Sequence, residues 1–436
     1  SGLAAAVTAA GAGARVLLME RMDRVGKKIL ATGNGRCNLT NLEISARHYH
    51  TRDRAALAEM LARMPAQKTL SFFEGLGLLC SMPEDGKIYP YCFQASMVLD
   101  CLLAAIRRRR VCTALKFDVA AVKPRGRDFA VLSVDGRCVT ARCVILAGGG
   151  LAAPKLGGTG GLYQVARDLG HTVTPLYPCL VPIKCKNAFA GGLKGIRVRA
   201  RGVLTCAGRR LGEQTGEWLF TDYGLSGIPA LQLSCLLWKL DAPYEIQIDF
   251  FPDWKPERLA ALLDARRGIC ETLEEWLLGT VPKRVGYAVM KSVGLAPLSR
   301  PVAGVDAAQT AALVRALKGW TFEVTGPLSW EQAQTTGGGV PLSEIDPETC
   351  MSRRQKGLFL TGELLDAAGE CGGYNLHWAW NTGMAAGLAA AGMGGCDRFF
   401  CGPINESPPR SAFRGPGRLF LQSVKAPRRL RRLIGS

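Results

Sequence analysis

The most constraining feature of the sequence is its opening, where small residues lead into a short apolar strand that ends on an acid. Residues 1–13 (SGLAAAVTAAGAG) have a helical composition and close on glycines, and residues 15–20 (RVLLME) follow as a buried-strand pattern. This order is typical of the second half of a β-α-β unit. In dinucleotide-binding folds the last glycine of G-x-G-x-x-G lies at such a helix, and an acid about 20 residues onward binds a ribose hydroxyl. Gly2 and Glu20 fit these positions.

The chain does not begin with Met, and its first recognisable element is already the helix. We therefore expect the first strand and the first two glycines of the fingerprint to precede residue 1. On this interpretation the opening is the remnant of a nucleotide-binding motif.

Two further segments in which a strand stops on glycine extend the pattern to the other end of the chain. Residues 143–150 (CVILAGGG) and 357–363 (GLFLTGE) have this form, and residues 372–375 (GGYN) precede a helix expected over about 376–391. A helix start exposes free N–H groups and a partial positive charge, which suit a phosphate or the electron-rich edge of a flavin. We expect both ends of the chain to build one cofactor-binding sheet.

Between these segments the periodicity changes. Residues 196–204 and 244–250 largely alternate apolar with polar, as half-buried antiparallel strands do, whereas residues 256–278, 283–293 and 307–320 have helical periodicity. The pattern predicts an insertion of strands with a helical cap.

Charge and composition exclude some classes of protein and leave one alternative open. The net charge of +19 suggests an RNA-associated protein, but residues 402–436 hold eight Lys/Arg and one Glu in a Pro-rich, aperiodic tail that we expect to be disordered. The 16 Cys lie at irregular spacings and the 4 His lack ligand spacing, which predicts reduced thiols and no metal site. No apolar stretch approaches the ~18–20 residues of a membrane span, so we expect a soluble, cytoplasmic protein.

Three longer motifs resemble a known family. Residues 25–41 (VGKKILATGNGRCNLTN), 216–227 (GEWLFTDYGLSG), and 361–366 (TGELLD) with 372–380 (GGYNLHWAW) are similar, in order and spacing, to the bacterial NAD(P)/FAD-dependent oxidoreductases called aminoacetone-oxidase-like. The resemblance covers about residues 1–395. It implies an α/β fold with a Rossmann-like two-segment FAD-binding domain (1–178 and 331–395), an inserted β-barrel substrate domain (179–330) with a helical subdomain at about 255–320, and a basic tail (396–436).

The function implied by the resemblance is that of an FAD-dependent oxidoreductase. It would transfer hydride between the flavin and a small or medium organic substrate, by amine or amino-ketone oxidation or by enone reduction. A second complete G-x-G-x-x-G, which would mark a separate nicotinamide domain, is missing. If NAD(P)H is used it would therefore dock directly over the flavin, and otherwise O₂ would reoxidise the flavin. The implied cofactor-binding residues are Gly2, Glu20, Arg21, Lys28, Gly33, Gly35, Arg36, Cys37, Asn38, Val119, Ala147, Gly148, Gly149, Gly362, Glu363, Gly373, Tyr374, Asn375 and Leu376.

Three residues are candidates for catalysis, each with a structural alternative. Asp222 and Tyr223 lie where the resemblance places the barrel against the flavin and would orient a substrate carbonyl or amine, although Asp222 also suits a turn cap. His377 lies at a predicted helix start, where capping or packing competes with catalysis. Cys37 is either half of a redox-active disulfide or a packed cysteine beside the flavin. We expect a small-molecule substrate and neither a specific nucleic acid nor a membrane as partner; a flavin-free structural remnant is a further alternative.

Overall fold

The computed structural model describes residues 1–81, 86–238, 243–393 and 401–403. The α-helices of these residues are α1 (Gly2–Gly11), α2 (Lys27–Leu30), α3 (Arg54–Ala62), α4 (Ala66–Gly75), α5 (Ala95–Arg108), α6 (Gly161–Asp168), α7 (Ile228–Ser234), α8 (Pro256–Arg266), α9 (Leu273–Trp276), α10 (Lys283–Ser292), α11 (Ala307–Lys318) and α12 (Tyr374–Gly392). Short 3-10 helices lie at Thr32–Gly35, Ala46–His48, Pro154–Leu156, Val302–Gly304, Leu342–Glu344 and Gly362–Leu364.

The β-strands connect these helices into several small sheets. They are β1 (Leu17–Glu20), β2 (Thr40–Asn41), β3 (Tyr49–His50), β4 (Cys80–Ser81), β5 (Lys87–Pro90), β6 (Cys112–Leu115), β7 (Val119–Arg125), β8 (Asp128–Ser133), β9 (Arg137–Ala141), β10 (Val144–Leu146), β11 (Tyr177–Cys179), β12 (Ile183–Lys186), β13 (Arg197–Cys206), β14 (Arg209–Phe220), β15 (Gly224–Ser226), β16 (Tyr244–Asp249), β17 (Trp320–Pro327), β18 (Thr335–Gly337), β19 (Leu358–Leu360), β20 (Ala368–Gly369) and β21 (Cys401–Pro403).

The two ends of the chain meet in a doubly wound α/β layer. Strand β1 pairs in parallel with β6, and β10 pairs in parallel with β19, so the second pair joins an early strand to a late one. Helix α1 contacts both pairs and packs along α12. The small side chains of α1, with Ala4, Ala5 and Val7 fully or almost fully buried, permit this close approach. The expected pairing of early and late segments is therefore present in β10 and β19, whereas the opening strand β1 pairs with β6 in a separate two-stranded sheet.

An antiparallel meander of β7, β8 and β9 lies beside this layer, and β21 extends it. Cys401 is paired with Val139 of β9 in the register of that edge. Residues 401–403, expected to belong to a disordered tail, thus form a strand, and the other residues of that tail (396–400 and 404–436) lie outside the described residues.

The inserted part is a closed barrel with strand order β12-β15-β14-β13-β16-β17. Helices α8 to α11 separate β16 from β17 in the chain, so the helical segment is inserted between two neighbouring barrel strands. Trp218, Phe220, Trp320 and Phe322 fill the barrel core, where Trp320 and Phe322 meet edge to face at 4.9 Å. Over the described residues, no helix is both long and apolar enough to cross a membrane.

Candidate cofactor and substrate site

A cavity of about 1480 Å³ lies between the doubly wound layer and the base of the barrel. Single small-molecule sites usually occupy about 300–1,000 Å³, so this cavity has room for a dinucleotide together with a substrate. Its walls come from both ends of the chain, including Glu20 and Gly373, and from α7 and the adjoining barrel strands. The predicted shared crevice of the amino- and carboxy-terminal segments is confirmed by this lining.

The cavity walls carry polar atoms that a ligand would satisfy. Among the described residues, the buried atoms Arg21 Nε, Asn38 Oδ1 and Trp380 Nε1 have no hydrogen-bond partner, and all three residues line the cavity. Asn38 is 8% exposed and Trp380 is 2% exposed. A buried polar group without a partner costs about 1–3 kcal/mol. FAD fits this set, because its phosphates, ribose and ring offer acceptors to the N–H groups and donors to the amide oxygen.

The acid predicted to hold the adenosine ribose lies at the end of β1. One carboxylate oxygen of Glu20 accepts a hydrogen bond of 2.9 Å from the Met22 N–H, which fixes the side chain. The Phe117 N–H donates to the Glu20 carbonyl at 2.9 Å, and this bond brings the start of β7 with Val119 beside β1. Glu20, Arg21 and Val119 all line the cavity, as expected for the nucleoside end of FAD.

A charged bridge across the cavity joins the first and last segments of the cofactor domain. Lys28 Nζ lies 2.7 Å from Glu363 Oε2. The other carboxylate oxygen, Glu363 Oε1, accepts from the Thr336 N–H at 3.0 Å and from the Thr336 hydroxyl at 2.7 Å. Lys28 and Glu363 were both predicted to bind the cofactor, and any contact of either side chain with FAD would have to compete with this bridge or share it. Sequence reasoning missed Thr336 as a site residue. The available signal was the run of glycines that follows it, in residues 336–340 (TGGGV).

The start of α12 supplies backbone rather than side-chain groups. Gly373 precedes the helix at φ 97°, a left-handed conformation that favours glycine, and a Cβ there would lie 2.6 Å from the Thr40 carbonyl oxygen. The Asn375 amide is occupied by Gly369, since its Nδ2 donates to the Gly369 carbonyl and its Oδ1 accepts from the Gly369 N–H. With its side chain held in this way, Asn375 leaves the free N–H groups of the helix start for a cofactor.

Most of the predicted cofactor residues line the cavity, but Gly35, Cys37, Gly362 and Tyr374 do not. Cys37 is fully buried, and burial raises the pKa of its thiol to about 11, which disfavours a reactive thiolate. Tyr374 stacks on His48 with ring centroids 4.5 Å apart. Of the alternatives for Cys37, the geometry agrees with the packed cysteine. The cavity-lining predicted residues are Gly2, Glu20, Arg21, Lys28, Gly33, Arg36, Asn38, Val119, Ala147, Gly148, Gly149, Glu363, Gly373, Asn375 and Leu376.

The predicted catalytic pair of the barrel lies elsewhere. Asp222 and Tyr223 sit in the turn between β14 and β15 and do not line the cavity. Asp222 Oδ2 pairs with Lys194 Nζ at 2.8 Å in an exposed position, and the hydrogen bond from Lys194 lowers the pKa of the carboxyl group. Leu219 and Ser226 on either side of this turn line the cavity but Asp222 and Tyr223 do not, so the geometry does not support a role of either side chain in orienting a substrate there.

His377 is likewise a packing residue in this structure. Its ring is fully buried in α12 and does not line the cavity. The Met64 carbonyl lies 2.8 Å from Nε2, which must therefore carry the proton, and the Thr40 hydroxyl donates to Nδ1 over 2.7 Å. Burial lowers the pKa of His377 from 6.5 to about 4. The neutral ring thus ties α12 to the strand β2 and the α3–α4 connection.

Because His377 is buried in its neutral form, we expect the folded protein to lose stability when the pH is lowered. Between pH 6.5 and about 4 the unfolded chain binds a proton at His377 that the folded chain does not, so the free energy of unfolding falls as the pH falls through this window. His377→Gln is expected to be less stable at neutral pH but to lose less on acidification. Urea unfolding of both proteins at pH 7 and pH 5 measures the difference. If wild type and His377→Gln lost the same free energy of unfolding between pH 7 and pH 5, the assignment of the acid sensitivity to His377 would be wrong. His48→Gln, a change at another histidine, is the control.

The comparisons with known proteins agree with this architecture. Residues 1–389 match the family described as HI0933-like protein Rossmann domain. The 3-dehydro-bile acid delta(4,6)-reductase of Clostridium scindens is 39% identical over 403 residues, 90% of this chain and 97% of the relative. The ribosomal RNA dihydrouridine synthase of Escherichia coli is 28% identical over 390 residues, 88% of this chain and 94% of the relative.

Solved structures of flavoenzymes also match over most of the chain. The 3-ketosteroid delta1-dehydrogenase from Sterolibacterium denitrificans, in complex with 1,4-androstadiene-3,17-dione, is 14% identical with a TM-score of 0.46, over 90% of this chain and 97% of that chain. The chain belongs to the HI0933-like family. The predicted fold class, a Rossmann-type FAD-binding domain with an inserted closed barrel, is confirmed.

Proposed function

We propose that this protein is a flavin-dependent reductase that saturates a carbon–carbon double bond conjugated to a carbonyl group in an apolar, steroid-sized substrate. The observation that carries the proposal is one cavity whose walls combine the glycine loops of the cofactor domain with apolar side chains on the barrel side, among them Leu180, Leu219, Ile228 and Leu231. The coarser prediction, an FAD-dependent oxidoreductase, is confirmed by the family and by the 39% identity to a reductase.

The chemistry of the relatives narrows the reaction. The name of the Clostridium scindens relative describes reduction of the 4,6 double bonds of a 3-oxo bile acid, and the name of the Escherichia coli relative describes conversion of uridine in ribosomal RNA to dihydrouridine. Both reactions saturate a double bond conjugated to a carbonyl group. This shared chemistry supports enone reduction over the amine or amino-ketone oxidation that the sequence also left open.

The chain's own residues would bind and orient the reactants. FAD, when bound, supplies hydride chemistry. Glu20 and the glycine loops would hold the cofactor, with the Lys28–Glu363 bridge beside it. On the barrel side, Leu180 and Leu231 would pack against an apolar substrate and exclude water from the reacting bond.

The barrel surface favours a small molecule over RNA. Arg197 pairs with Glu217, and both residues line the cavity, while Arg201 lies 2.8 Å from Asp249, so acids compensate these two cations of β13. The arginines of the tail lie outside the described residues. An RNA-associated flavoprotein remains the second candidate, because two relatives are ribosomal RNA dihydrouridine synthases.

We further propose NAD(P)H as the electron donor.

Purified protein is expected to carry flavin, with an absorbance band at about 450 nm. Under anaerobic conditions with NADH or NADPH, a 3-oxo bile acid with a conjugated 4-ene is expected to gain two hydrogens, measured by mass spectrometry. Uridine-containing ribosomal RNA is the parallel substrate. Flavin-loaded protein that leaves the steroid unchanged but forms dihydrouridine would overturn the steroid proposal in favour of the RNA alternative, and a protein that FAD cannot reconstitute would overturn both.

A further inference from the structure

Enone reduction needs a second hydrogen source that the proposed function does not identify. Saturating the double bond adds a hydride to the carbon distant from the carbonyl and a proton to the carbon next to it. Reduced flavin chemistry supplies the hydride, whereas the proton must come from an acid in the cavity wall. The inference below rests on the proposed function.

The wall between the cofactor domain and the barrel contains a thiol. Cys371 lies in the loop between β20 and α12, lines the cavity, and is partly buried. It packs with Leu231 against a small cluster that includes the buried Cys179 and Cys235. The thiol therefore sits on the apolar side of the cavity, two residues before the Gly373 backbone that would face the cofactor.

An independent feature places a ligand next to this loop. The unpartnered Asn38 Oδ1, from a side chain more than nine-tenths buried, lies 2.8 Å from where a Cβ of Gly373 would be. Asn41 Nδ2 donates to the Gly372 carbonyl at 3.1 Å, which holds the loop in place. A bound molecule that donates a hydrogen bond to Asn38 Oδ1 would therefore lie beside Gly373, which follows Cys371 by two residues in the chain.

Three other titratable groups of the cavity wall, Glu370, Tyr89 and Cys143, are less suited to donate a proton. The Glu370 carboxylate accepts a hydrogen bond of 2.9 Å from His48 Nδ1 and so already has a donor directed at it. The ring of Tyr89 packs against Phe93 at 5.3 Å. The other cavity-lining thiol, Cys143, contacts the end of α12, with its sulfur 3.9 Å from the Ala390 carbonyl oxygen.

We propose that the Cys371 thiol is the proton donor of the reaction. As hydride adds to the distant carbon, the Sγ–H bond breaks and a C–H bond forms at the carbon next to the carbonyl. The electron pair of the S–H bond stays on sulfur, and the resulting thiolate takes a proton from solvent before the next turnover. One hydride and one proton are thus added, and the cysteine is regenerated.

The surroundings of Cys371 keep it protonated until it is needed. Burial, followed by the neighbouring Cys235 and Glu370, raises the pKa of the Cys371 thiol to about 12, against a smaller lowering by Lys87. At neutral pH the thiol is therefore present as S–H. A donor of this strength gives up its proton only to a strongly basic carbon, such as the one that forms when hydride adds to an enone.

The test compares Cys371→Ala and Cys371→Ser with Cys179→Ala, a change in the same cluster at a residue that does not line the cavity. General acid catalysis contributes about 10²–10⁴-fold, so Cys371→Ala is expected to lower kcat at least about a hundredfold, and Cys371→Ser less. Flavin content, measured by absorbance, is expected to stay unchanged in all three variants, and Cys179→Ala is expected to keep wild-type turnover.

A second readout does not depend on turnover. Because iodoacetamide attacks only the thiolate, wild-type holoenzyme is alkylated for several hours at about pH 9, where even a thiol of high pKa is ionised to a small extent. Alkylation at Cys371, mapped by mass spectrometry, is expected to slow when a saturated 3-oxo steroid is added, whereas alkylation at the exposed Cys92 is not. Wild-type turnover with undiminished Cys371→Ala activity, or no protection of Cys371, would overturn this assignment alone. Flavin-loaded wild-type protein that reduces no enone would overturn the proposed function and the assignment with it.

Discussion

Replacing Gly387 by alanine is expected to lower the free energy of unfolding by about 2–3 kcal/mol, in the range of overpacked cores. A Cβ at Gly387 would lie 2.4 Å from the Ala5 carbonyl oxygen and 3.0 Å from Ala5 Cα, so α1 and α12 would have to separate. Because α1 also lines the cavity, the same change is expected to weaken cofactor binding. Urea unfolding monitored by circular dichroism measures the first effect, and flavin content measures the second.

The matched control is Gly392→Ala in the same helix. A Cβ at Gly392 meets nothing within 4 Å among the described residues, and alanine is favoured over glycine in helices by up to about 1 kcal/mol. This variant is expected to be unchanged or slightly more stable. Opposite signs for the two substitutions would establish the close approach of the helices, whereas equal effects would contradict it.

The local elements of the insertion could be predicted because each has its own periodicity. The alternation over 196–204 and 244–250 matches β13 and β16, and the helical periods over 283–293 and 307–320 match α10 and α11. The helical segment predicted over 256–278 was too long, because the structure has α8 and then the short α9, with a break between Arg266 and Leu273. Apolar residues that pack on one core keep a helical spacing across a break, so periodicity alone does not locate it.

Contacts between distant segments could not be predicted in the same way. The bridge from Lys28 to Glu363 and Thr336 depends on how the first and last segments pack, which no local pattern encodes. The glycine loops were predictable because close backbone approach requires glycine. The position of Asp222 was not, because barrel closure decides which way the β14–β15 turn faces.

The carboxylate at the end of β1 was predicted from spacing alone, and its removal gives the sharpest test of the cofactor site. Glu20→Ala is expected to raise the Kd for FAD by about ten- to a hundredfold, because a hydrogen bond to a charged group contributes about 1.5–3 kcal/mol. The Met22 N–H already orients the side chain, so little ordering is required when the ribose binds. Quenching of flavin fluorescence during titration of flavin-free protein measures the affinity.

Asp23→Ala separates this contact from a general loss of negative charge. Asp23 lies three residues beyond Glu20, is exposed, pairs with Lys27 at 2.5 Å, and does not line the cavity. Its removal changes the net charge as Glu20→Ala does but is expected to leave the Kd for FAD within about twofold, since exposed ion pairs contribute about 0–1 kcal/mol. If both substitutions weakened FAD binding equally, the effect would be one of long-range charge, and the assignment of Glu20 to the ribose would be wrong.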